Sequence, residues 1–498
     1  MRTSILFGGP AGTGPNILTS VVGNALVRQG YYVFYSRDYQ SLIRGGHNFN
    51  VLTFSEEPVS SNDSQIDVLV CLDKNTKNIH NKNLKEGGII LEGSEGNMNF
   101  AGRIFKILGL GFETLEEELR TLGKRVEENL GTSRKGYDGE TREFCKLETK
   151  KLTGIFENGS QGIADGAIDS GMEIYYAYPM TPATPVLTEI SQRTLDEKSK
   201  HLSIELENEI AVVNAGVGSA MTGKKVMVGT SGGGFDLMTE GLSLCGIAGI
   251  PLVFYLAQRP GPATGVATYT SQGDLKMALN AGHGEFTRIV VAPGNPSEAK
   301  ELTSQVFYLS SKFKVPSIIL SDKHLAESFY TSEGKGEIVK FKTDLKMKRF
   351  NSYETDEGGS ATEEPEIIEK NIVARMKKGF ELAEESKKFE MYKIYGEVSS
   401  KNLVVSWGSP KGAISDAVKD LDCGFLQIKY LEPFPKEVAK IMKDKNLILV
   451  ENNSTGPLAD LIREKTGILI EDRKKILRFD GRPFLADELK EEIGRRIK

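Results

Sequence analysis

At 498 residues the chain is too long for one hydrophobic core and should divide into about three domains. Its 39% hydrophobic and 26% charged residues are ordinary for a globular protein and exclude a disordered or fibrous one. With 63 basic and 68 acidic residues, a net charge of −5, it lacks the clustered basic excess of a nucleic-acid binder.

The N-terminus passes from Met1-Arg2-Thr3 into a three-residue apolar run and then glycines, with no apolar region long enough for a signal peptide. The longest apolar run, 244–257, falls short of the roughly 20 residues that span a membrane. A cytoplasmic enzyme is expected. Cys71, Cys145, Cys245 and Cys423 lie far apart without a C-x-x-C pair, so they read as reduced, mostly buried thiols.

Residues 1–115 read as the first domain. Strand Ile5-Leu6-Phe7 runs into the glycine-rich turn Gly8-Gly9-Pro10-Ala11-Gly12-Thr13-Gly14, then a helix with apolar residues at helical spacing from Ile17 to Val27, then strand 31–35. This βαβ unit presents a helix N-terminus able to receive an anion, or simply a tight turn. Arg44-Gly45-Gly46-His47 adds a second backbone-accessible loop before strand 50–54. Residues 116–158, with Glu116-Glu117-Glu118 and Thr132-Ser133-Arg134-Lys135-Gly136, read as a charged linker.

Residues 159–330 alternate helix and strand, the pattern of a parallel sheet covered on both faces. Within them, strand 173–177 ends in Ala177-Tyr178-Pro179-Met180-Thr181-Pro182-Ala183-Thr184-Pro185. Each proline fixes φ and pushes the residue before it out of the α region, which holds Thr181 at a strand end. Glu205-Leu206-Glu207-Asn208-Glu209 enters a small-residue helix over 210–222, and Ser231-Gly232-Gly233-Gly234 follows strand 225–229. Buried strand 251–258 ends on Arg259 before Pro260-Gly261-Pro262, an odd place for a merely solvated arginine. Residues 331–400 are charged and loop-rich, then helical from Glu364, and suit disorder or an arm around a partner. Residues 401–498 repeat the alternation, with Pro433-Phe434-Pro435 and Glu451-Asn452-Asn453 at strand ends.

Taken together, the Tyr-Pro-Met-Thr-Pro turn, the Glu205–Glu209 run, Ser231–Gly234 and the Arg259 strand end resemble the α subunit of the 2-oxoacid:ferredoxin oxidoreductases, most closely the 2-oxoglutarate type. The first domain is similar to the γ domain that several members carry fused ahead of α, with a role near coenzyme A and in assembly. The last is similar to their transketolase-C-like domain. The resemblance implies an α/β fold of three parallel-sheet αβα domains: a γ-like one, a thiamine-diphosphate pyrimidine-binding one that also holds substrate, and a transketolase-C-like one.

The implied reaction is CoA-dependent oxidative decarboxylation of a 2-oxoacid to acyl-CoA and CO2 with reduction of ferredoxin, 2-oxoglutarate being favoured. No side chain can delocalise the acyl carbanion that decarboxylation leaves, so a cofactor must. Thiamine diphosphate does so through a C2 ylid, which needs a carboxylate on its pyrimidine ring. By its place before the small-residue helix, Glu209 matches the family's activating carboxylate; by residue type alone it reads rather as an acid stabilised by a helix dipole, and Glu205 is the second candidate. Arg259 matches the substrate arginine, and arginine grips a carboxylate in a planar fork that lysine cannot reproduce. Thr181 and Thr268 match substrate threonines. Met180 stands where isoleucine is usual, and Tyr269 stands where many relatives place arginine or lysine, which weighs against a dicarboxylate.

No Gly-Asp-Gly occurs for the diphosphate, and no cysteine set for an iron–sulfur cluster. The resemblance therefore implies a separate β subunit carrying Mg²⁺, the diphosphate site and a [4Fe–4S] cluster, and a chain inactive alone. Pyruvate, branched-chain or other oxoacids remain open, as do a nucleotide-binding dehydrogenase and a non-catalytic assembly subunit.

Overall fold

The computed structural model describes residues 2–40, 46–150, 154–196, 199–334, 336–344 and 349–497. The chain divides into two compact units: Met1–Glu157 with Ser328–Gly334 and Phe484–Glu491, and Asn158–Glu327 with Lys335–Pro483 and Glu492–Lys498. Numbered along the chain, the strands are β1 (Arg2–Pro10), β2 (Tyr32–Asp38), β3 (His47–Ser55), β4 (Ile66–Cys71), β5 (Leu84–Glu92), β6 (Ile155–Asn158), β7 (Ile174–Ala177), β8 (Leu202–Glu205), β9 (Val226–Ser231) and β10 (Leu252–Gln258). There follow β11 (Ile289–Val291), β12 (Ser317–Asp322), β13 (Phe329–Ser332), β14 (Tyr392–Gly396), β15 (Asn402–Ser406), β16 (Gly424–Ile428), β17 (Tyr430–Glu432), β18 (Asn446–Glu451) and β19 (Lys475–Leu477).

The first unit is built on a sheet of order β5-β4-β1-β3-β2-β13-β6. The expected glycine turn leads from β1 into the helix Pro15–Arg28, which buries Leu18, Val21, Val22, Ala25 and Leu26. β1, β4 and β5 are parallel, but β3 inserts between β1 and β2 and runs antiparallel to both. So few residues join Asp38 to His47 that β3 must turn straight back along β2, since a parallel neighbour needs a crossover of a dozen residues or more. Of the loop expected at Arg44–His47, residues 41–45 lie outside the described residues, and His47 opens β3.

Residues 116–158, expected as a linker, contribute instead to this unit. Thr132–Gly136 lie inside the helix Val126–Gly139, which buries Leu130, Ser133 and Gly136. A side chain added at Gly136 would collide with the Asn99 carbonyl, and one at Gly102 with that of Ser133. Arg134 and Lys135 sit on the outer face of this helix, whose inner face is small, while Glu116–Glu118 belong to the preceding helix Phe112–Leu122, where Glu118 is buried against Arg28.

The second unit holds two sheets. One, of order β17-β11-β12-β10-β9-β7-β8, is parallel from β8 to β11 and has β17 antiparallel at its edge. Its central strands β9, β10 and β12 are buried along their whole length, apolar in their middles and polar only at their ends, as parallel strands covered on both faces are. The other, β14-β16-β15-β18-β19, is parallel except for β14. The apolar run Phe425–Tyr430 makes two strands rather than one, because the chain leaves one sheet after Ile428 and joins the other at Tyr430. The segment 331–400, expected as loop, charged helix or arm, supplies the helix Pro365–Ser386 and the edge strand β14.

All four cysteines are free thiols, and Cys71, Cys245 and Cys423 are buried. Among the described residues no helix is long and apolar enough to cross a membrane.

Candidate active site

In the β8–β11 sheet the chain leaves β7 to one side for β8 and then returns to the other side for β9 and β10. The order reverses beside β7, and ligands of open α/β sheets bind in the crevice beyond the carboxyl ends of strands at such a point. The segments singled out above leave the carboxyl ends of β7, β8, β9 and β10: Tyr178–Pro182, Leu206–Glu209, Gly232–Gly234 and Arg259–Pro262.

Glu209 is the first residue of the helix Glu209–Met221, whose N-cap Asn208 accepts the Ala211 amide at 2.9 Å. That cap turns the chain so that Glu209 points inward and is only 3% exposed, while Glu205 and Glu207 face solvent. The position alone separates the three glutamates. Glu209 Oε1 is fully buried and has no hydrogen-bond partner. A buried carboxylate oxygen without a donor is unfavourable by about 1–3 kcal/mol unless something else supplies one. Directly against it lies Gly234, where a Cβ would stand 2.9 Å from Glu209 Cδ and closer still to Oε1 and to Thr230 Oγ1. The glycine run thus forms a wall of bare backbone beside an unsatisfied acceptor.

Arg259 Nη1 donates to the Thr181 carbonyl at 2.6 Å, which ties the end of β10 to the proline turn after β7. Its Nε is buried and without a partner. Burial pulls the guanidinium below its ordinary pKa, and the carboxylates of Asp274 and Glu209 oppose that pull. The structure therefore brings Thr181, Glu209 and Arg259 to one cleft. The Thr181–Pro182 and Gly261–Pro262 peptides are cis. The Met180 sulfur packs at 4.0 Å from the Thr230 hydroxyl, so the methionine fills the same wall.

Thr268 lies on the loop between Arg259 and the helix Leu275–Asn280, partly exposed, with no hydrogen bond to the other three. The same loop is gripped by the neighbouring sheet. Gln272 donates to the Trp407 carbonyl at 2.8 Å and accepts the Asn452 amide at 2.9 Å, and its own amide donates to Asn452 O at 2.7 Å. Trp407 Nε1 in turn donates to Glu451 at 2.7 Å, and burial pushes that carboxyl up to about 7. Beside Tyr269, where the sequence lacks a cation, the Arg482 guanidinium stacks 3.8 Å from the ring centroid. Gly481 sits between Tyr269 and Pro260, and its carbonyl accepts the Thr270 amide at 3.1 Å. Nothing near Thr268 in the sequence announces Arg482. His283 is exposed, and its carbonyl accepts the Ser243 hydroxyl at 3.0 Å. A cavity of about 930 Å³ lined by Phe286, Arg288, Phe380 and Phe434 contains none of these residues.

Residues 165–397 match the family model "Pyruvate flavodoxin/ferredoxin oxidoreductase, thiamine diP-bdg", and residues 4–96 match "Pyruvate ferredoxin/flavodoxin oxidoreductase". The 2-oxoacid:ferredoxin oxidoreductase subunit alpha of Sulfolobus sp. is 31% identical, over 100% of this chain and 97% of that protein. The 2-oxoglutarate synthase subunit KorA of Methanocaldococcus jannaschii is 29% identical, over 60% of this chain and 88% of that protein. Among solved structures, the 2-oxoglutarate:ferredoxin oxidoreductase of Magnetococcus marinus, with 2-oxoglutarate, coenzyme A and succinyl-CoA bound, shares the fold at a TM-score of 0.90 and 22% identity, each chain covered completely. A relative matched along nearly its whole length, together with these two family models, shows that the chain belongs to the α subunits of the 2-oxoacid:ferredoxin oxidoreductases.

Proposed function

We propose that this chain forms the pyrimidine side and the substrate pocket of a cytoplasmic, thiamine-dependent enzyme. The reaction converts a 2-oxoacid, coenzyme A and oxidised ferredoxin into acyl-CoA, CO2 and reduced ferredoxin, with 2-oxoglutarate as the favoured substrate. The observation that carries this reading is the buried, unpartnered Glu209 Oε1 facing the side-chain-free wall at Gly234. An acceptor of this kind beside bare backbone suits a flat heterocycle with a ring nitrogen that shares a proton, and the aminopyrimidine of thiamine diphosphate is one.

When bound, thiamine diphosphate supplies the electron sink for the carbanion left by decarboxylation. The chain's own residues do the rest. Glu209 takes a hydrogen bond from the ring nitrogen and so governs the proton held there. Arg259, already anchored on the Thr181 carbonyl, offers the guanidinium edge that a substrate carboxylate pairs with in a fork. Thr181 and Thr268 supply hydroxyls to the oxoacid. The preference for 2-oxoglutarate is supported by the KorA relatives, by the ligands of the Magnetococcus enzyme, and by Arg482, a second cation beside the substrate loop.

The rest of the centre is assigned to a separate β subunit: Mg²⁺, the diphosphate site and a [4Fe–4S] cluster that passes electrons to ferredoxin. In this reading residues 1–115 are the γ-like domain, 159–330 the catalytic domain and 401–498 the transketolase-C-like domain. The family-model matches at 4–96 and 165–397 support the first two. The test is CoA-dependent dye reduction across a panel of 2-oxoacids, with the chain alone and with its β subunit. Turnover is expected only with both subunits, and turnover by this chain alone would overturn the reading.

A further inference from the structure

Glu209 is not the only unsatisfied carboxylate in the cleft. Asp274, which opens the helix Leu275–Asn280, has a buried Oδ2 with no hydrogen-bond partner. It lies beside the other end of the glycine run, where a Cβ on Gly232 would stand 2.8 Å from that oxygen. Its backbone is fixed: the Asp274 amide donates to Gln258 Oε1 at 3.0 Å, and Gln258 Nε2 donates to the Ser321 carbonyl at 3.0 Å. The backbone at Asp274 is therefore tied to the carboxyl end of β10, at the residue before Arg259, while its carboxylate forms neither a hydrogen bond nor an ion pair with the Arg259 guanidinium. That arginine carries the complementary defect, a buried Nε–H with no acceptor, and the Asp274 carboxylate is its largest charged influence, ahead of Glu209. An orphan donor and an orphan acceptor of opposite charge thus share one cleft.

Resting on the assignment of Arg259 as the substrate arginine, we propose that Asp274 is a positioning residue, the counter-ion of Arg259 when no substrate is bound, and that it takes up a proton when a 2-oxoacid carboxylate claims the guanidinium. The charge balance demands something of the kind. An incoming carboxylate neutralises Arg259 and would leave the buried Asp274 anion beside a second negative charge, with Asp236 also near. Two like charges at one site cannot both persist ionised, and one takes a proton from solvent.

The groups facing Asp274 set where this happens. Burial raises its carboxyl most, Asp236 at the end of the short helix Gly232–Asp236 raises it further, and Arg259 at the end of β10 lowers it; the outcome is about 6. Substrate removes the effect of Arg259, so the bound state titrates higher. The sign follows. Substrate binds best to the protonated form, and KM must rise with pH between the free and bound values, by up to about tenfold per pH unit.

The experiment uses the complex of this chain with its β subunit and measures kcat and KM for 2-oxoglutarate and for pyruvate from pH 6 to 8.5. The native complex is expected to show a KM that rises about tenfold or more over this range with both substrates. Asp274→Asn is expected to hold KM flat near its acidic-side value, so that it binds substrate more tightly than the native enzyme at pH 8.5, with kcat changed less than about threefold. Asp274→Glu keeps a titrating carboxylate and is expected to keep the slope. A pH-independent KM in the native complex would overturn the proposal without any variant. So would Asp274→Asn retaining the native slope, or losing turnover at every pH while the subunits still assemble. The parent assignment is tested separately by Arg259→Ala: an unchanged KM there would reject the substrate arginine itself, whatever Asp274 does.

Discussion

Gly234→Ala puts a methyl group where the structure leaves room for none. The added Cβ would lie 2.9 Å from Glu209 Cδ and nearer still to Glu209 Oε1 and Thr230 Oγ1. Ordinary van der Waals contact begins near 3.4 Å, so the carboxylate must retreat by at least about half an ångström, and its nearer oxygen by more. Thr230 is 2% exposed and Glu209 3%, so neither side chain has solvent to move into. Overpacking of this kind typically destabilises by about 1–3 kcal/mol, which a chain of this size tolerates. The catalytic loss should be disproportionate, because a misplacement of about 1 Å in a catalytic group can lower the rate roughly 100-fold. The assay is oxoacid-dependent dye reduction by the complex, with thermal unfolding and subunit co-elution as controls. Gly218→Ala is the matched comparison. It lies exposed in the same helix as Glu209 with nothing near its Cβ position, and should stabilise by up to about 1 kcal/mol without loss of turnover. A Gly234→Ala complex with native kcat would refute the placement of Glu209 at the reacting centre.

Further outcomes follow from the contacts of the substrate loop. Gln272→Ala strands the buried Trp407 carbonyl and Asn452 amide, and should destabilise the chain by about 2–4 kcal/mol in denaturant unfolding; a midpoint within error of native would show that the loop is held by other means. Arg482→Ala removes the cation stacked on Tyr269, and is expected to lower kcat/KM for 2-oxoglutarate about 10- to 100-fold while sparing pyruvate, the range of one charge-assisted hydrogen bond. An equal loss for both substrates would make Arg482 a packing residue.

Much of this fold is written locally. The parallel sheets of the second unit follow from alternating apolar strands and amphipathic helices, and the positions of β9 and β10 fall within a residue or two of the expected ones. What the sequence hides is long-range. β13 and β14 are short segments beside charged stretches, and they become strands only because a distant edge offers them a partner: β2 for the first and β16 for the second. The helix Val126–Gly139 reads as a linker because its small inner face, Ser133 and Gly136, carries no hydrophobic signal. In the cleft, Thr181 and Arg259 stand out at strand ends next to prolines, where a chain must turn sharply, and Glu209 stands out at the start of a small-residue helix. Arg482 does not, and it reaches Tyr269 from the far end of the chain. Asp274 lies in surroundings familiar from the family, but its character comes from burial and from Arg259.

The proton on the C2 carbon of bound thiamine diphosphate reports directly on whether Glu209 controls the pyrimidine. Its exchange into deuterated water can be followed by NMR after acid quench of the assembled complex, native and Glu209→Gln. The account predicts exchange slowed by at least about 100-fold in the variant, the range expected for loss of a positioned acid–base group, with cofactor and β subunit still bound. Exchange at the native rate would contradict it.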